Sequence, residues 1–170
     1  MGSVLVIGGG AAGLAAAIAA AECGDTVTVA EKMDRVGKKI LATGNGRCNL
    51  MNTGAPRYPG NAAFAAAVLS HCGAEKQKAF WEHLGLRLRQ EEAGRVYPVS
   101  SQASSVLDAL RLQLTALHVR VVTGVSITAL HRENDGWTAL SADGQRFRAN
   151  RVIISGGGCA PVSYTHLRAH

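Results

Sequence analysis

The chain has 170 residues, 47% of them hydrophobic and 18% charged, which suits one globular domain with a sizeable core. Its net charge is +6, yet aromatics make up only 5% and there is no basic helix face or zinc-type spacing, so no nucleic-acid partner is expected. Cys23, Cys48, Cys72 and Cys159 lie far apart with no C-x-x-C. That spacing predicts neither a zinc ribbon nor a redox dithiol, no metal is expected, and a reducing cytoplasm is the expected location. No Lys or Arg precedes Lys32, so the apolar start lacks the positive region of a signal peptide. Its glycines also argue against a membrane helix.

Val4 to Ile7 is a continuous apolar run, as expected of a parallel strand covered on both faces. Gly8-Gly9-Gly10-Ala11-Ala12-Gly13 follows, then an alanine-rich stretch to Cys23 that predicts a buried helix stopped by Gly24. Thr26 to Ala30 predicts a second strand, and Glu31 ends it. A nucleotide pyrophosphate needs this order. Gly8 allows the tight turn, Gly10 leaves room for phosphate, and Gly13 lets the helix pack closely on the sheet. The helix then aims its N–H groups and positive dipole end at the anion. Glu31, 18 residues after Gly13, stands where a carboxylate accepts hydrogen bonds from a ribose. It would repel a ribose 2′-phosphate.

Lys32 to Asn52 is rich in Gly, Lys, Arg and Asn, with a short apolar patch at Ile40-Leu41-Ala42. Residues 57–59 read as a turn-rich link. Asn61 predicts the N-cap of a helix carrying Phe64, Val68 and Leu69 on one side, broken by Gly73. Ala74 to Leu84 predicts another helix, with Phe80, Trp81 and Leu84 as its apolar set and Trp81 in the core. Leu86 to Val96 predicts a hairpin turning at Ala93-Gly94. Ser100 or Ser101 should cap a helix in which Val106, Leu107, Leu110, Leu114 and Leu117 recur at helical spacing.

Val119 to Thr123 predicts a strand. From Val125 the period becomes two, and turns at Asn134-Asp135-Gly136 and Asp143-Gly144 divide residues 125–148 into a three-stranded meander. Arg151 to Ser155 is a final apolar strand leading into Gly156-Gly157-Gly158. The expected fold is α/β, with a βαβ start, a helical and hairpin insert over 53–100, and a meander where an ordinary crossover would have a helix. That plan is shared with glutathione-reductase-like, Rossmann-type FAD-binding domains.

Gly37 to Asn49 reads GKKILATGNGRCN. With the first glycine fingerprint, Gly94-Arg95-Val96-Tyr97-Pro98 and the strand Val152 to Gly157, it resembles the bacterial NAD(P)/FAD-dependent oxidoreductases. These are aminoacetone oxidase-like flavoproteins that include flavin reductases of unsaturated 3-oxo bile acids. The resemblance covers about residues 3–159. It implies FAD as cofactor and hydride or electron transfer between the flavin and NAD(P)H or an organic small-molecule substrate. Carried over by position, it implies that Gly8, Gly10, Ala12 and Gly13 face the pyrophosphate, and that Glu31 holds the adenosine ribose with Lys32 beside it. Thr43, Gly44, Asn45 and Gly46 would run along the phosphates toward the flavin, with Arg47, Cys48 and Asn49 following near its ring. Val125 would offer its backbone to the adenine, and Ser155 and Gly156 would close over the cofactor. Lys39 would add countercharge, and both Lys38 and Lys39 read equally well as solvated loop charges. Cys48 has no nearby cysteine partner and is expected to pack rather than cycle. His71, His83, His118 and His131 share no motif and read as surface or structural residues. No residue is assigned as catalytic acid or base.

Members of that family continue beyond the Gly156-Gly157 turn into a substrate-side domain and then return to complete the FAD site. Residues 1–159 are therefore expected to be the N-terminal part of such a domain, lacking its C-terminal half, with 160–170 a non-native tail. Exposed apolar surface, weak flavin retention and aggregation are expected to follow. Two alternatives remain at this point: a non-catalytic NAD-binding module and an inactive truncated fragment.

Overall fold

A computed structural model describes residues 1–54, 58 and 60–157, with the backbone of 168–169. The chain divides into two units. Unit 1 comprises Met1–Lys39 and Leu110–His170, and unit 2 comprises Ile40–Ala109.

Unit 1 is built on a four-stranded parallel sheet. Its strands are β1 (Ser3–Ile7), β2 (Thr26–Ala30), β6 (Arg120–Val122) and β10 (Arg151–Ile154), in the order β10-β1-β2-β6. β1 pairs with β10 and β2 on its two sides, which explains its unbroken apolar run. Leu5 and Val6 are 1% and 0% exposed, each worth about 1.5–3 kcal/mol relative to exposure. Their side chains point to opposite faces of the pleat. Leu5 and Ile7 join Ala30, Val125, Ile127, Leu130, Ala139 and Ala149 in one apolar cluster. The helix α1 (Ala11–Glu22) lies against β1 and β2. Gly24 ends it at φ +87, with Gly24 N–H and Asp25 N–H donating to the Ala21 and Ala20 carbonyls at 2.9 and 3.2 Å.

The meander connects β6 to β10. Its strands β7 (Ile127–Glu133), β8 (Gly136–Ser141) and β9 (Arg146–Ala149) pair antiparallel, with turns at the two predicted places. The two-residue segment β11 (Arg168–Ala169) pairs parallel with β7. It falls in the stretch expected to be a non-native tail, whose other residues lie outside the described ones, as do residues 57 and 59 of the predicted link.

Unit 2 carries a three-stranded antiparallel sheet of β3 (Met51–Asn52), β5 (Arg95–Pro98) and β4 (Leu88–Gln90). The hairpin turns through Ala93 and Gly94, at φ +57 and +74. Asn61 caps the helix α3 (Ala62–His71) by accepting the Phe64 N–H at 2.9 Å, as its sequence predicts. Helix α4 (Ala74–His83) follows. The short helix α2 (Lys38–Ala42) and the long helix α5 (Ala103–Ala116) each cross a boundary between the units in sequence.

Three expectations need correction: the burial of α1, the place of Trp81 in the core, and the serine cap of α5. Helix α1 is buried only along Gly13, Leu14, Ala17 and Ile18; its other alanines face outward or are half-covered, because alanine is apolar enough to read as core yet small enough to leave exposed. No residue of α3 or α4 is fully buried, and Phe64 is 68% exposed. Trp81 is half-buried, packed edge-on to Phe80 at 5.1 Å, rather than enclosed in a core. Ser100 accepts the Gln102 N–H at 3.3 Å, a turn contact preceding α5 and not a cap within its first turn. Ser101 instead adopts φ +53.

Candidate dinucleotide-binding site

The turn between β1 and α1 shows why each glycine stands where it does. Gly8 has φ +108, and a Cβ there would lie 2.5 Å from the Ser155 carbonyl oxygen. A Cβ at Gly13 would lie 1.9 Å from the Gly8 carbonyl oxygen and 2.5 Å from Ser155 Oγ. Both glycines are therefore required by the fold itself. Gly9 is similar: a Cβ would fall 2.5 Å from Val36 Cγ1. Gly10 differs. It is the N-cap of α1 in extended backbone, φ −81, with no side-chain cap bond, and a Cβ there would meet nothing within 4 Å. The open space in front of α1 is lined by backbone with no acidic residue in the first helical turn. Such a helix end accepts an anion.

Glu31 is fixed beside that space. Its Oε2 accepts the Gly9 N–H at 2.5 Å and its Oε1 accepts the Met33 N–H at 2.8 Å. Its own backbone is held from both sides, N–H to the Val122 carbonyl at 2.8 Å and carbonyl from the Val125 N–H at 2.9 Å. Each carboxylate oxygen keeps a further lone pair for a ribose hydroxyl. The Val125 N–H is committed to Glu31, so the backbone group it would offer to an adenine is its carbonyl. Ser155 closes the turn from below. Its N–H donates to the Ile7 carbonyl at 2.8 Å, and its hydroxyl lies 3.0 and 2.9 Å from the Ile7 and Gly8 carbonyls. Gly156 is exposed, with nothing near a Cβ position. Ala12 and Lys32 are exposed on the same unit. Lys39 is also exposed, its Nζ 3.5 Å from where a Gly157 Cβ would stand. Lys38 is drawn into a 2.7 Å ion pair with Asp34, and that hydrogen bond holds the Asp34 carboxyl below its ordinary range.

The second glycine-rich segment belongs to unit 2 and has its own construction. Thr43 to Gly46 forms an exposed turn in which Gly44, Asn45 and Gly46 all take positive φ, at 55, 54 and 79. Its base is anchored. Thr43 Oγ1 donates to the Ile40 carbonyl at 2.7 Å, Arg47 N–H to Gly44 at 3.1 Å and Cys48 N–H to Thr43 at 3.0 Å. Cys48 is buried at 6% exposure and is not disulfide-bonded, consistent with its expected packing role. Arg47 donates to Glu91 Oε1 at 2.5 Å while its guanidinium lies 4.1 Å over the Tyr97 ring. Arg89 reaches the same Glu91 oxygen at 2.8 Å. The Arg47 hydrogen bond, with Arg89 helping, keeps the Glu91 carboxyl below the usual carboxylate range. Sequence reading singled out neither Glu91 nor Tyr97 as site residues, although Tyr97 stands in the quoted Gly94 to Pro98 motif.

Comparison with known proteins decides the family. The HI0933-like protein Rossmann domain matches residues 2–165. The chain belongs to that family. Its dinucleotide is FAD. A 3-dehydro-bile acid delta(4,6)-reductase from Clostridium scindens is 45% identical over 168 residues, 96% of this chain and 41% of that protein. A ribosomal RNA dihydrouridine synthase from Haemophilus influenzae is 24% identical over 91% of this chain and 40% of its own length. The chain thus spans about two fifths of these relatives. Among solved structures, the 3-ketosteroid-delta4-(5alpha)-dehydrogenase of Rhodococcus jostii RHA1 superposes with TM-score 0.66 at 18% identity, over 92% of this chain and 46% of that one. The THI4 protein of Thermovibrio ammonificans superposes with TM-score 0.63 at 15% identity, over 92% and 57%. At those identities the likeness is one of fold. No helix among the described residues is long and apolar enough to cross a membrane.

Proposed function

We propose that this chain supplies the FAD-binding part of a reductase that saturates a carbon–carbon double bond conjugated to a ketone, with NAD(P)H as the electron source. The observation that carries the cofactor assignment is the open space at Gly10, bordered by the start of α1 and the fixed Glu31 carboxylate. The residues fit the group. Gly10, Ala12 and Gly13 would present backbone N–H groups to the pyrophosphate, with Gly8 shaping the turn. Glu31 would accept from the ribose, Lys32 and Lys39 would supply countercharge, and Val125 would meet the adenine. Ser155 and Gly156 would complete the wall. The resemblance adds Thr43, Gly44, Asn45, Gly46, Arg47 and Cys48 to the residues that serve the cofactor.

When bound, FAD supplies the hydride or electron transfer, and the protein supplies position and electrostatics. Support for the ketone substrate comes from the relative at 45% identity, whose name specifies a 3-dehydro bile acid and reduction of its ring double bonds.

The test is FAD titration by flavin fluorescence of the protein carrying this sequence, against Gly10→Val and Glu31→Gln. Gly10→Val is expected to weaken FAD by about 100-fold or more, which is about 2.7 kcal/mol. Equal affinity in all three proteins overturns the site. Stabilisation by NAD in place of FAD would favour a non-catalytic NAD module, and no response to either would favour an inactive fragment.

A further inference from the structure

Ser155 and Glu31 hold opposite edges of a single peptide unit. The bond between Gly8 and Gly9 is trans, so the Gly8 carbonyl and the Gly9 N–H point in opposite directions from one plane. The Ser155 hydroxyl donates to that carbonyl at 2.9 Å, and Glu31 Oε2 accepts that N–H at 2.5 Å. The next peptide is fixed as well, because the Gly9 carbonyl accepts the Gly37 N–H at 2.8 Å. Gly10 and the open space ahead of α1 follow directly. Ser155 reaches this peptide from the end of β10. Its hydroxyl also lies 3.0 Å from the Ile7 carbonyl, but that oxygen already holds the Ser155 N–H at 2.8 Å. The hydroxyl proton therefore matters most to Gly8. A proton donated to an amide carbonyl polarises the amide and strengthens its N–H as a donor. Here that N–H bonds a carboxylate, an acceptor that makes the stronger class of hydrogen bond. Every group in this chain of contacts lies in unit 1.

We propose that Ser155 is a positioning residue for the Glu31 carboxylate, acting through the Gly8-Gly9 peptide, and that its hydroxyl raises FAD affinity without touching the cofactor. The assignment rests on the FAD reading given above, in which Glu31 accepts from the ribose. The Glu31 carboxylate is oriented by two donors, the Met33 N–H at 2.8 Å and the Gly9 N–H at 2.5 Å. Met33 is two positions from Glu31 and moves with it, so the Gly9 bond is the one that ties the carboxylate to the glycine turn. A ribose and a pyrophosphate belong to one molecule, and their two holders must stand at a fixed separation to bind both at once. The Gly8-Gly9 peptide joins those holders. Without the Ser155 hydroxyl this peptide has one tethered edge in place of two, and FAD must then supply the ordering that the protein otherwise supplies in advance.

The test is a double-substitution cycle in the full-length protein carrying this sequence, with FAD affinity read by flavin fluorescence. Ser155→Ala should weaken FAD about 10-fold, the size of one hydrogen bond. Ser155→Thr keeps the hydroxyl and should stay within about threefold of wild type. In a Glu31→Ala background, where the carboxylate is gone, Ser155→Ala should cost less than about twofold more. Equal losses from Ser155→Ala with and without Glu31 overturn the proposal, because the hydroxyl would then act by another route. Unchanged affinity in Ser155→Ala overturns it too, as does a Ser155→Thr protein as weak as Ser155→Ala. Each of these outcomes leaves the cofactor reading standing when Gly10→Val still weakens FAD. A wild type that does not hold FAD overturns that reading, and this assignment with it. If Ser155→Ala does not fold, Ser155→Cys, close in shape and a weaker donor, takes its place in the cycle and is held to the same outcomes.

Discussion

The two glycine-rich turns are held in shape by different means. Between β1 and α1 the shape comes from backbone sterics: Gly8 and Gly13 are pressed against Ser155 and against each other, with no room for a Cβ. Between Thr43 and Cys48 the shape comes from side chains below the turn. There Arg47 is clamped by Glu91 and Tyr97, and Cys48 is buried. At Gly46 a Cβ would meet nothing within 4 Å, so contact does not demand that glycine; its φ of +79 does. The first turn should thus fail all at once when a glycine is lost. The second should respond in graded fashion to changes in its anchors.

The sharpest way to break this contrast is Gly13→Ala. Its Cβ would overlap the Gly8 carbonyl, and we expect a loss of about 3 kcal/mol or more in chemical unfolding. A near-normal unfolding midpoint would show that the turn can relax and that sterics do not set its shape. Next in size is Gly10→Val in the same turn. It should cost about 1 kcal/mol of stability or less as a changed N-cap, while FAD affinity collapses. Parallel losses of folding and binding would erase the distinction between fold glycines and the ligand glycine.

Glu31→Gln should follow, weakening FAD by about 10-fold through loss of a charged acceptor. Gln is preferred to Ala because Glu31 accepts the Gly9 and Met33 N–H groups on its two oxygens: the Gln carbonyl keeps one of those bonds and strands one donor, whereas Ala would strand both.

The smallest effect should come from the second turn. In wild type the Glu91 carboxyl titrates below its ordinary range, because Arg47 and then Arg89 bond the charged form. Its contribution is therefore present above the unfolded value, about 4.3, and is lost as pH falls through the folded value. In Glu91→Gln that acid-sensitive part disappears. The gap in Tm between wild type and variant should be widest at pH 7 and close as the pH falls below about 4. A gap independent of pH would mean that shape, not charge, is what Glu91 contributes.

Much of the fold was legible because its signals are local. The apolar run of β1, the Gly24 stop, the Asn61 cap and the Asp143-Gly144 turn each act within a few residues, and the structure shows all four. The meander in place of a crossover helix was legible for the same reason, since its period of two begins at Val125. Burial of helices was less legible. Phe64 and Val68 recur at helical spacing, which reports which residues share a face but not whether anything covers it. The geometry of the first turn was legible from its motif, as at Gly8 and Gly13. That of the second was illegible at Glu91, which lies 44 positions from Arg47 and carries no motif of its own.

By itself the sequence determined the βαβ start, the glycine turn and an acid at the end of the second strand, because a single turn of backbone and one helix suffice to specify them. Only the tertiary structure decided that Ser155 seats Gly8 from 147 positions away, and that the Tyr97 ring lies beneath the Arg47 guanidinium. Those contacts depend on strand order and register, which bring distant residues together and which no periodicity within a segment encodes.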